Sequence, residues 1–340
     1  STMPLQTLER LHELARKGIP VIFEKDLPDD VPGLHLLEER RLELSELKAS
    51  MRKNGRSTIS AAYKEALQNS GIVAEGLSVK GLSFIRKRSG THTLYFVTNL
   101  SSSGCSDWIP LSGMAESIEI YDPMSGRKGL ADIRPGKGGT DLYLQLAPGE
   151  SLILTCMPEE AETQPWTYTD LDETKTIQIC GTWLLSPVEG APRLPEPVEM
   201  EQLHSWTGLG EEWEIFSGAV VYSTTFRLPK EDAGKAFMLD LGDVRESARV
   251  KINGEDLGLL WAVPYRMNIP GGILIETNTL EIEVRNLSFN RVIDLDRNGQ
   301  PWKNFHEINF VNINYKPYDA SGAESMPSGL LNPVTLTPLN

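Results

Sequence analysis

The sequence predicts a mainly β protein, with a partial α/β segment at the N-terminus followed by two β-sandwich domains, the last a jelly roll. Three observations predict this. Apolar residues recur with helical spacing in the first part of the chain, and with a spacing of two from about Gly81 onward. The 29 Gly and 22 Pro are spread along the chain as turns between short strands, not gathered into a disordered tract. No helical pattern separates the later strands, which is how sheets packed on sheets read. The expected divisions are 1–80 for the α/β segment, 81–157 for the first sandwich, 158–174 for an acidic, Thr-rich linker and 175–340 for the second sandwich.

Leu5, Leu8, Leu11, His12 and Ala15 share one helical face, and Gly18 closes that helix. "IPVIFE" then reads as a short buried strand, because Val21, Ile22 and Phe23 are contiguous and β-prone. A charged, Leu-rich helix is expected from about Leu34 to Lys48 and a shorter one around Ala61 to Gln68, with "GIVAEG" as a second strand. This helix–strand–helix–strand order belongs to a parallel sheet, yet two short strands are too few to bury both faces of one. The chain is therefore expected to begin part-way through a larger α/β domain.

"SFIRKRSGTHTLYFVTNL" holds two alternating strands around Ser89-Gly90, and "ESIEIYDPMSGR" another strand closed by a turn. "TDLYLQLAPGESLILTC" sets Leu142, Leu144 and Leu146 on one face, turns at Pro148-Gly149 and returns through Leu152 and Leu154. The second sandwich is carried by "TIQICGTWLL", "AVVYSTTFRL", "KAFMLDLG", "ARVKINGEDLGLLW", "NTLEIEVRNL" and the final "NPVTLTPL". Leu280, Ile282 and Val284 alternate with Glu281, Glu283 and Arg285, and Asn253-Gly254 predicts a type I′ hairpin turn.

Composition narrows the function. A net charge of −14 argues against nucleic acid, whose phosphates need clustered Lys and Arg, and against acidic membrane surfaces. No apolar run reaches the roughly 20 residues a spanning helix requires, so membrane insertion is not expected. Cys105, Cys156 and Cys180 are too scattered for a disulfide framework or a zinc site, and Cys156 and Cys180 read as buried small hydrophobes.

Catalytic signatures are missing where they would be readable. "HEINF" has Phe310 where a zinc-protease helix needs its second His, and no G-x-S-x-G or phosphate-loop motif occurs. The glycines around Lys137 suit a hairpin tip, and His204 and His306 lack a nucleophile partner. Glycoside hydrolysis needs two carboxylates flanking one bond. Glu281 and Glu283 are explained by strand alternation, and Glu211 and Glu212 sit in a loop without assignable roles. No catalytic residue is assigned.

Tryptophans are the more telling feature, because an indole face packs on the C–H face of a sugar ring. Trp206, Trp261 and Trp302, with Arg266 and Asn253, are the candidate carbohydrate-binding residues; burial in a sandwich core is the competing use of each Trp. "DLDRNG" places Asp294, Asp296 and Asn298 before Gly299 as in the first half of a calcium loop. Phe305 stands where such a loop needs its bidentate Glu, and the preceding run reads as strand, so an Asn298-Gly299 turn is favoured. Calcium, with Glu307 as a distant helper, is the only cofactor these letters suggest.

"VKINGEDLGLLWAVPYRMNI", "NTLEIEVRNLSFNRVID" and "MPSGLLNPVTL", in that order, resemble the galactose-binding-like accessory domain of glycoside hydrolases, most closely family 106 of the α-L-rhamnosidase type. "RKGIPVIFEKDLPDDVPGLHLLE" and "SFIRKRSGTHTLYFVTNLS" resemble the segment that follows the catalytic barrel in that family. Asn332 departs from the family pattern, which more often has Gly there. The resemblance implies catalysis by carboxylates on an upstream (β/α)8 barrel of about 250 residues, for which nothing here supplies the strands. It further implies a polysaccharide partner, the upstream catalytic domain of the same polypeptide as a second partner, and a periplasmic or secreted location. The expected function is the non-catalytic C-terminal part of a glycan-degrading hydrolase; an autonomous carbohydrate-binding module and a self-standing hydrolase using Glu211, His204 or Asp294 are the alternatives.

Overall fold

The computed structural model describes residues 1–340 except 55, 56, 73, 137, 305–312, 314, 315, 317 and 340. The chain is mainly β, and it divides into two compact units, Ser1–Gly76 and Leu77–Asn340.

The first unit runs α1 (Leu5–Arg16), β1 (Val21–Phe23), α2 (Leu37–Asn54), β2 (Ser57–Ile59) and α3 (Tyr63–Asn69). α1 buries Leu8 and Ala15 on one face and stops at Gly18, whose φ of +88° suits only a residue without Cβ. β1 and β2 pair in parallel, Val21 beside Ser57 and Phe23 beside Ile59. The second strand is therefore Ser57–Ile59 and not "GIVAEG". Gly71, at φ +79°, ends α3 there, and the Ile72 N–H returns to the Leu67 carbonyl, so Gly71 and Ile72 form a helix exit. Leu8, Leu27, Val31, Leu44 and Met51 form a small core, while Leu34, Leu36 and Leu42 stay exposed.

In the second unit a single helical turn, α4 (Gly76–Val79), leads into β3 (Ser83–Ser89), β4 (His92–Thr98), β5 (Cys105–Leu111), β6 (Ser117–Tyr121), β7 (Lys128–Leu130), β8 (Ile133–Gly136), β9 (Gly139–Leu146) and β10 (Ser151–Met157). They build a five-stranded sheet, β3-β4-β10-β6-β7, and a three-stranded one, β5-β9-β8. Alternation works as expected: Leu142, Leu144, Leu146, Leu152 and Leu154 are buried with Val97, Ile109, Ile118 and Ile120 between the sheets. Residues 158–174, expected as a linker, are fastened to this sandwich. Trp166 pairs its backbone with Leu130 and packs on the core, and Tyr168 donates its hydroxyl to the Tyr143 carbonyl at 3.1 Å.

The second sandwich comprises β11 (Ile177–Gln178), β12 (Trp183–Ala191), β13 (Val198–Met200), α5 (Glu211–Glu214), β14 (Ser217–Arg227), β15 (Phe237–Asp240), β16 (Val244–Arg245), β17 (Ser247–Ile252), β18 (Glu255–Leu260), β19 (Arg266–Ile269), β20 (Thr277–Arg285), α6 (Phe289–Arg297), β21 (Gly329–Leu330) and β22 (Thr335–Pro338). Its sheets are six-stranded, β13-β12-β14-β20-β17-β18, and four-stranded, β11-β22-β15-β19. Their core holds Trp183, Tyr222, Phe237, Val250, Leu280, Ile282, Val284 and Leu336.

Two expectations fail here. Cys180 is exposed, because it lies in the bend between β11 and β12 and outside either strand; Cys156 is half-buried. "FNRVIDLDR" is the helix α6, not a strand running into a turn. Asn290 and Ile293, three residues apart, are buried on its inner face, and Asn290 donates to the Met326 carbonyl at 2.9 Å while accepting the Met326 N–H at 2.8 Å. Tertiary bonds thus hold helical a stretch whose Asn, Asp, Val and Ile are weak helix formers. No helix among the described residues is long and apolar enough to cross a membrane.

Candidate functional site

Strand register sorts the loops of the second sandwich into two ends. Ala248 pairs with Leu260 and Val284, and Asp240 with Arg266 and Thr335, so Trp261 and Arg266 emerge at the same end. Asn253 lies at the far tip of β18, roughly 20 Å away by strand rise. The structure therefore places Trp261 and Arg266 at one end of the sandwich and Asn253 at the other.

Asn253 holds a φ of +52° in its hairpin, as the Asn-Gly pair predicts. Its Nδ2 donates to the Ile273 carbonyl at 3.0 Å and to Asn278 Oδ1 at 2.9 Å, and its Oδ1 accepts the Thr279 N–H at 3.0 Å. Its polar atoms are committed to the turn.

Trp261 is 59% exposed, in the loop joining β18 to β19, with Val263 exposed beside it. That loop meets the first sandwich at the Pro148-Gly149 turn. A Cβ on Gly149, at φ +82°, would stand 2.6 Å from Val263 Cγ2, so close approach requires glycine there. Arg266 donates from Nε to Asp240 Oδ2 at 2.7 Å, which pins its guanidinium beside the same loop.

Trp206 does not face solvent. It is fully buried, with its ring 6.3 Å from Trp213, 6.1 Å from Phe216 and 6.5 Å from Tyr222, so it fills the core and is unavailable to a sugar. Trp302 is half-buried, its Nε1 donating to Asp296 Oδ1 at 2.7 Å and its ring edge-on to Tyr318 at 6.2 Å.

The calcium candidates do not converge. Asp294 pairs with Arg291 and accepts Asn298 Nδ2 at 2.8 Å, while Asp296 Oδ2 accepts the Ala320 N–H at 2.8 Å. Burial pushes the Asp296 carboxyl up, but its bonds from Ala320, Trp302 and Lys303 outweigh this and hold it below the ordinary aspartate value. The physical reason is helical: Asp294 and Asp296 are two residues apart on α6 and point to different sides. Among the described residues no three His, Cys, Asp or Glu side chains gather as a metal site would require. Phe305, His306, Glu307, Phe310 and Lys137 lie outside the described residues.

Glu211 and Glu212 border a shallow depression of about 250 Å³ with Pro192, Arg193 and Ile215, and Glu212 is ion-paired to Arg193. Glu283 lies 3.2 Å from Arg285 on the outer face of β20, and His204 Nδ1 is 3.0 Å from the Ser205 carbonyl.

A cluster that sequence reading missed sits on the outer face of the three-stranded sheet. Trp108 opposes Tyr143 across β5 and β9 with centroids 5.6 Å apart, and Tyr143 meets the edge of Tyr168 at 5.0 Å. Arg134 lies over the Trp108 ring, Cζ 4.2 Å from its centroid, and its Nε is 3.2 Å from Asp141 Oδ2. Period-two alternation in "TDLYLQL" already sets Asp141, Tyr143 and Gln145 opposite the buried leucines; only the pairing with β5 and β8 brings Trp108 and Arg134 to them.

No protein-family model matches the chain. A curated relative from Formosa agariphila, described as a "Putative beta-glucuronidase", is 30% identical over 183 residues, which is 48% of this chain and 16% of that protein. Among solved structures, a rhamnosidase from Novosphingobium sp. PP1Y superposes with a TM-score of 0.69 at 24% identity, covering 99% of this chain and 32% of the rhamnosidase. The chain thus spans well under half the length of either protein, and the fold is one that a rhamnosidase also carries.

Proposed function

We propose that this chain is the non-catalytic C-terminal part of a glycan-degrading glycoside hydrolase of the α-L-rhamnosidase type, family 106. In this reading residues 1–80 complete the parallel layer of a catalytic barrel, residues 81–157 form a bracing sandwich, and residues 175–340 form a galactose-binding-like jelly roll. The observation that carries it is the β1-β2 pair. It is a two-stranded parallel sheet with both outer edges unpaired among the described residues, beside exposed Leu34, Leu36 and Leu42. Parallel strands are stable when neighbours and helices cover them, so this pair calls for further parallel strands from an α/β partner.

Other features support the reading. Ile85, Phe96, Ile153 and Tyr121 stand in one cross-strand row on the outer face of the five-stranded sheet, with Ile85, Phe96 and Tyr121 exposed, as a surface covered by another domain would be. The rhamnosidase that shares the fold has about twice as much chain again outside the matched part. A periplasmic or secreted location follows from the same reading.

An autonomous carbohydrate-binding module is the second reading, favoured by exposed Trp261 with Arg266 at the same end of the sandwich. A self-standing hydrolase would need two carboxylates facing each other across a cleft; Asp294 is ion-paired to Arg291, and Glu212 beside Glu211 is ion-paired to Arg193. Incubation of the chain with aryl α-L-rhamnosides tests the proposal. No turnover is expected, and robust hydrolysis overturns it.

A further inference from the structure

We propose that the outer face of the sheet β5-β9-β8 binds a uronate-bearing sugar, with Arg134 taking the carboxylate and Trp108, Tyr143 and Ser106 receiving the ring. The sugar half of this inference rests on the function proposed above; the charge half rests on Arg134.

Outward positions on three strands meet here. Ser106 and Trp108 project from β5, Asp141 and Tyr143 from β9, and Arg134 from β8, while Ile109, Leu142 and Leu144 point into the core. Asp141 pairs in register with both Pro110 and Arg134, so the arginine must cross β9 to reach Trp108. It does so with its Cζ over the indole, 4.2 Å from the ring centroid.

Two contacts restrain the guanidinium: the indole beneath it and Asp141 at its Nε. Neither Nη accepts any such restraint, since no partner for them is found among the described residues. The side chain is half-exposed, which leaves it within reach of a ligand. A staple holding three strands together would be complete with the stack and the ion pair. What remains is a planar pair of donors, held rigid on an aromatic base and open on one side. That fork matches the two oxygens of a carboxylate, and little side-chain freedom is left to lose on binding.

The neighbours suit the rest of a pyranose. Trp108 and Tyr143 are half-buried rings at the surface, offering edges and faces to C–H groups. Exposed Ser106 shares a hydrogen bond of 2.9 Å with the Tyr143 hydroxyl, and either oxygen can turn to a sugar hydroxyl. The step from Trp108 to Ser106 is about 7 Å along the strand, the span of a single ring. Lys80 is not a competing anion site, because its Nζ is held by Asp107 at 2.5 Å.

The test is titration calorimetry on the full chain with glucuronate and galacturonate oligosaccharides. Their neutral gluco and galacto counterparts and a 6-sulfated galacto-oligosaccharide serve as comparison arms. A uronate oligosaccharide is expected to bind, with its neutral counterpart at least tenfold weaker. R134Q should lower uronate affinity at least tenfold, and R134K should restore only part of it because a point charge lacks the fork. Circular dichroism reports whether each variant is folded; if R134Q is not, R134K against wild type decides alone. Equal binding of acidic and neutral sugars, binding that requires sulfate, unchanged affinity in R134Q or R134K, or no uronate binding at millimolar concentration each overturns the inference. Neutral sugar bound as tightly as uronate, with both unaffected by R134Q, overturns it while leaving the function above intact, and that function fails separately on aryl-rhamnoside turnover.

Discussion

Replacing Trp206 by alanine removes an indole that is fully enclosed by Trp213, Phe216 and Tyr222. Burying about 200 Å² of aromatic surface at about 25 cal/mol per Å² corresponds to roughly 5 kcal/mol. Measured Trp-to-Ala substitutions in cores lose about 3–5 kcal/mol once partial collapse is allowed for. For a unit of this size each kcal/mol moves the midpoint by about 2–4 °C, so Tm should fall by about 6–20 °C. The assay is thermal unfolding followed by near-ultraviolet circular dichroism, beside the same scan on Trp261→Ala. Trp261 is mostly exposed, so its loss should leave Tm within about 2 °C, as surface substitutions do. Trp206→Phe adds a finer check. The Trp206 Nε1 is buried with no partner among the described residues, and such a donor costs about 1–3 kcal/mol. Phenylalanine drops that donor and keeps most of the ring, so its loss should be less than half that of alanine. Equal midpoints for Trp206→Ala and Trp261→Ala would refute the assignment of Trp206 to the core.

Asn253→Ala should lower stability by about 2–3 kcal/mol, from a left-handed position that Asn tolerates better than Ala and from the loss of the bonds to Ile273, Asn278 and Thr279, while leaving any sugar affinity unchanged. A fall in affinity measured on the folded variant would contradict its purely structural role. Burial pushes the Glu150 carboxyl above its ordinary value of 4.5, with Asp122 adding to the rise and the Ala147 N–H opposing it. The folded chain thus holds the Glu150 proton more tightly than the unfolded chain. Its contribution to stability is full below pH 4.5 and is lost as pH rises through the raised folded value. Glu150→Gln should therefore melt at or above wild type at pH 7, with the gain shrinking toward pH 4.5; a constant deficit at both pH values sinks this account.

Much of the architecture was legible because short-range physics governs it. Alternation in "TDLYLQL" and "LEIEV" fixed which residues enter the cores, since a strand's side chains can only alternate. Gly18, Gly149 and the Asn253-Gly254 pair marked stops and turns, because left-handed backbone excludes most side chains. The charged Leu-rich helix also appeared, though it runs from Leu37 to Asn54, since an amphipathic pattern does not locate its own ends. α6 escaped because its sequence has poor local propensity and its stability comes from Asn290 and Ile293 meeting distant partners.

By itself, then, the chain determined its strands, its turns and the sidedness of each strand, all properties of neighbours in sequence. Only the tertiary structure decided which tryptophan is core and which is surface, because Trp206 and Trp261 both lie outside the strands, where no alternation ranks their burial. It also decided that Arg134 and Trp108, 26 positions apart by subtraction of their numbers, form one platform, because register between strands is set by whole sheets coming together.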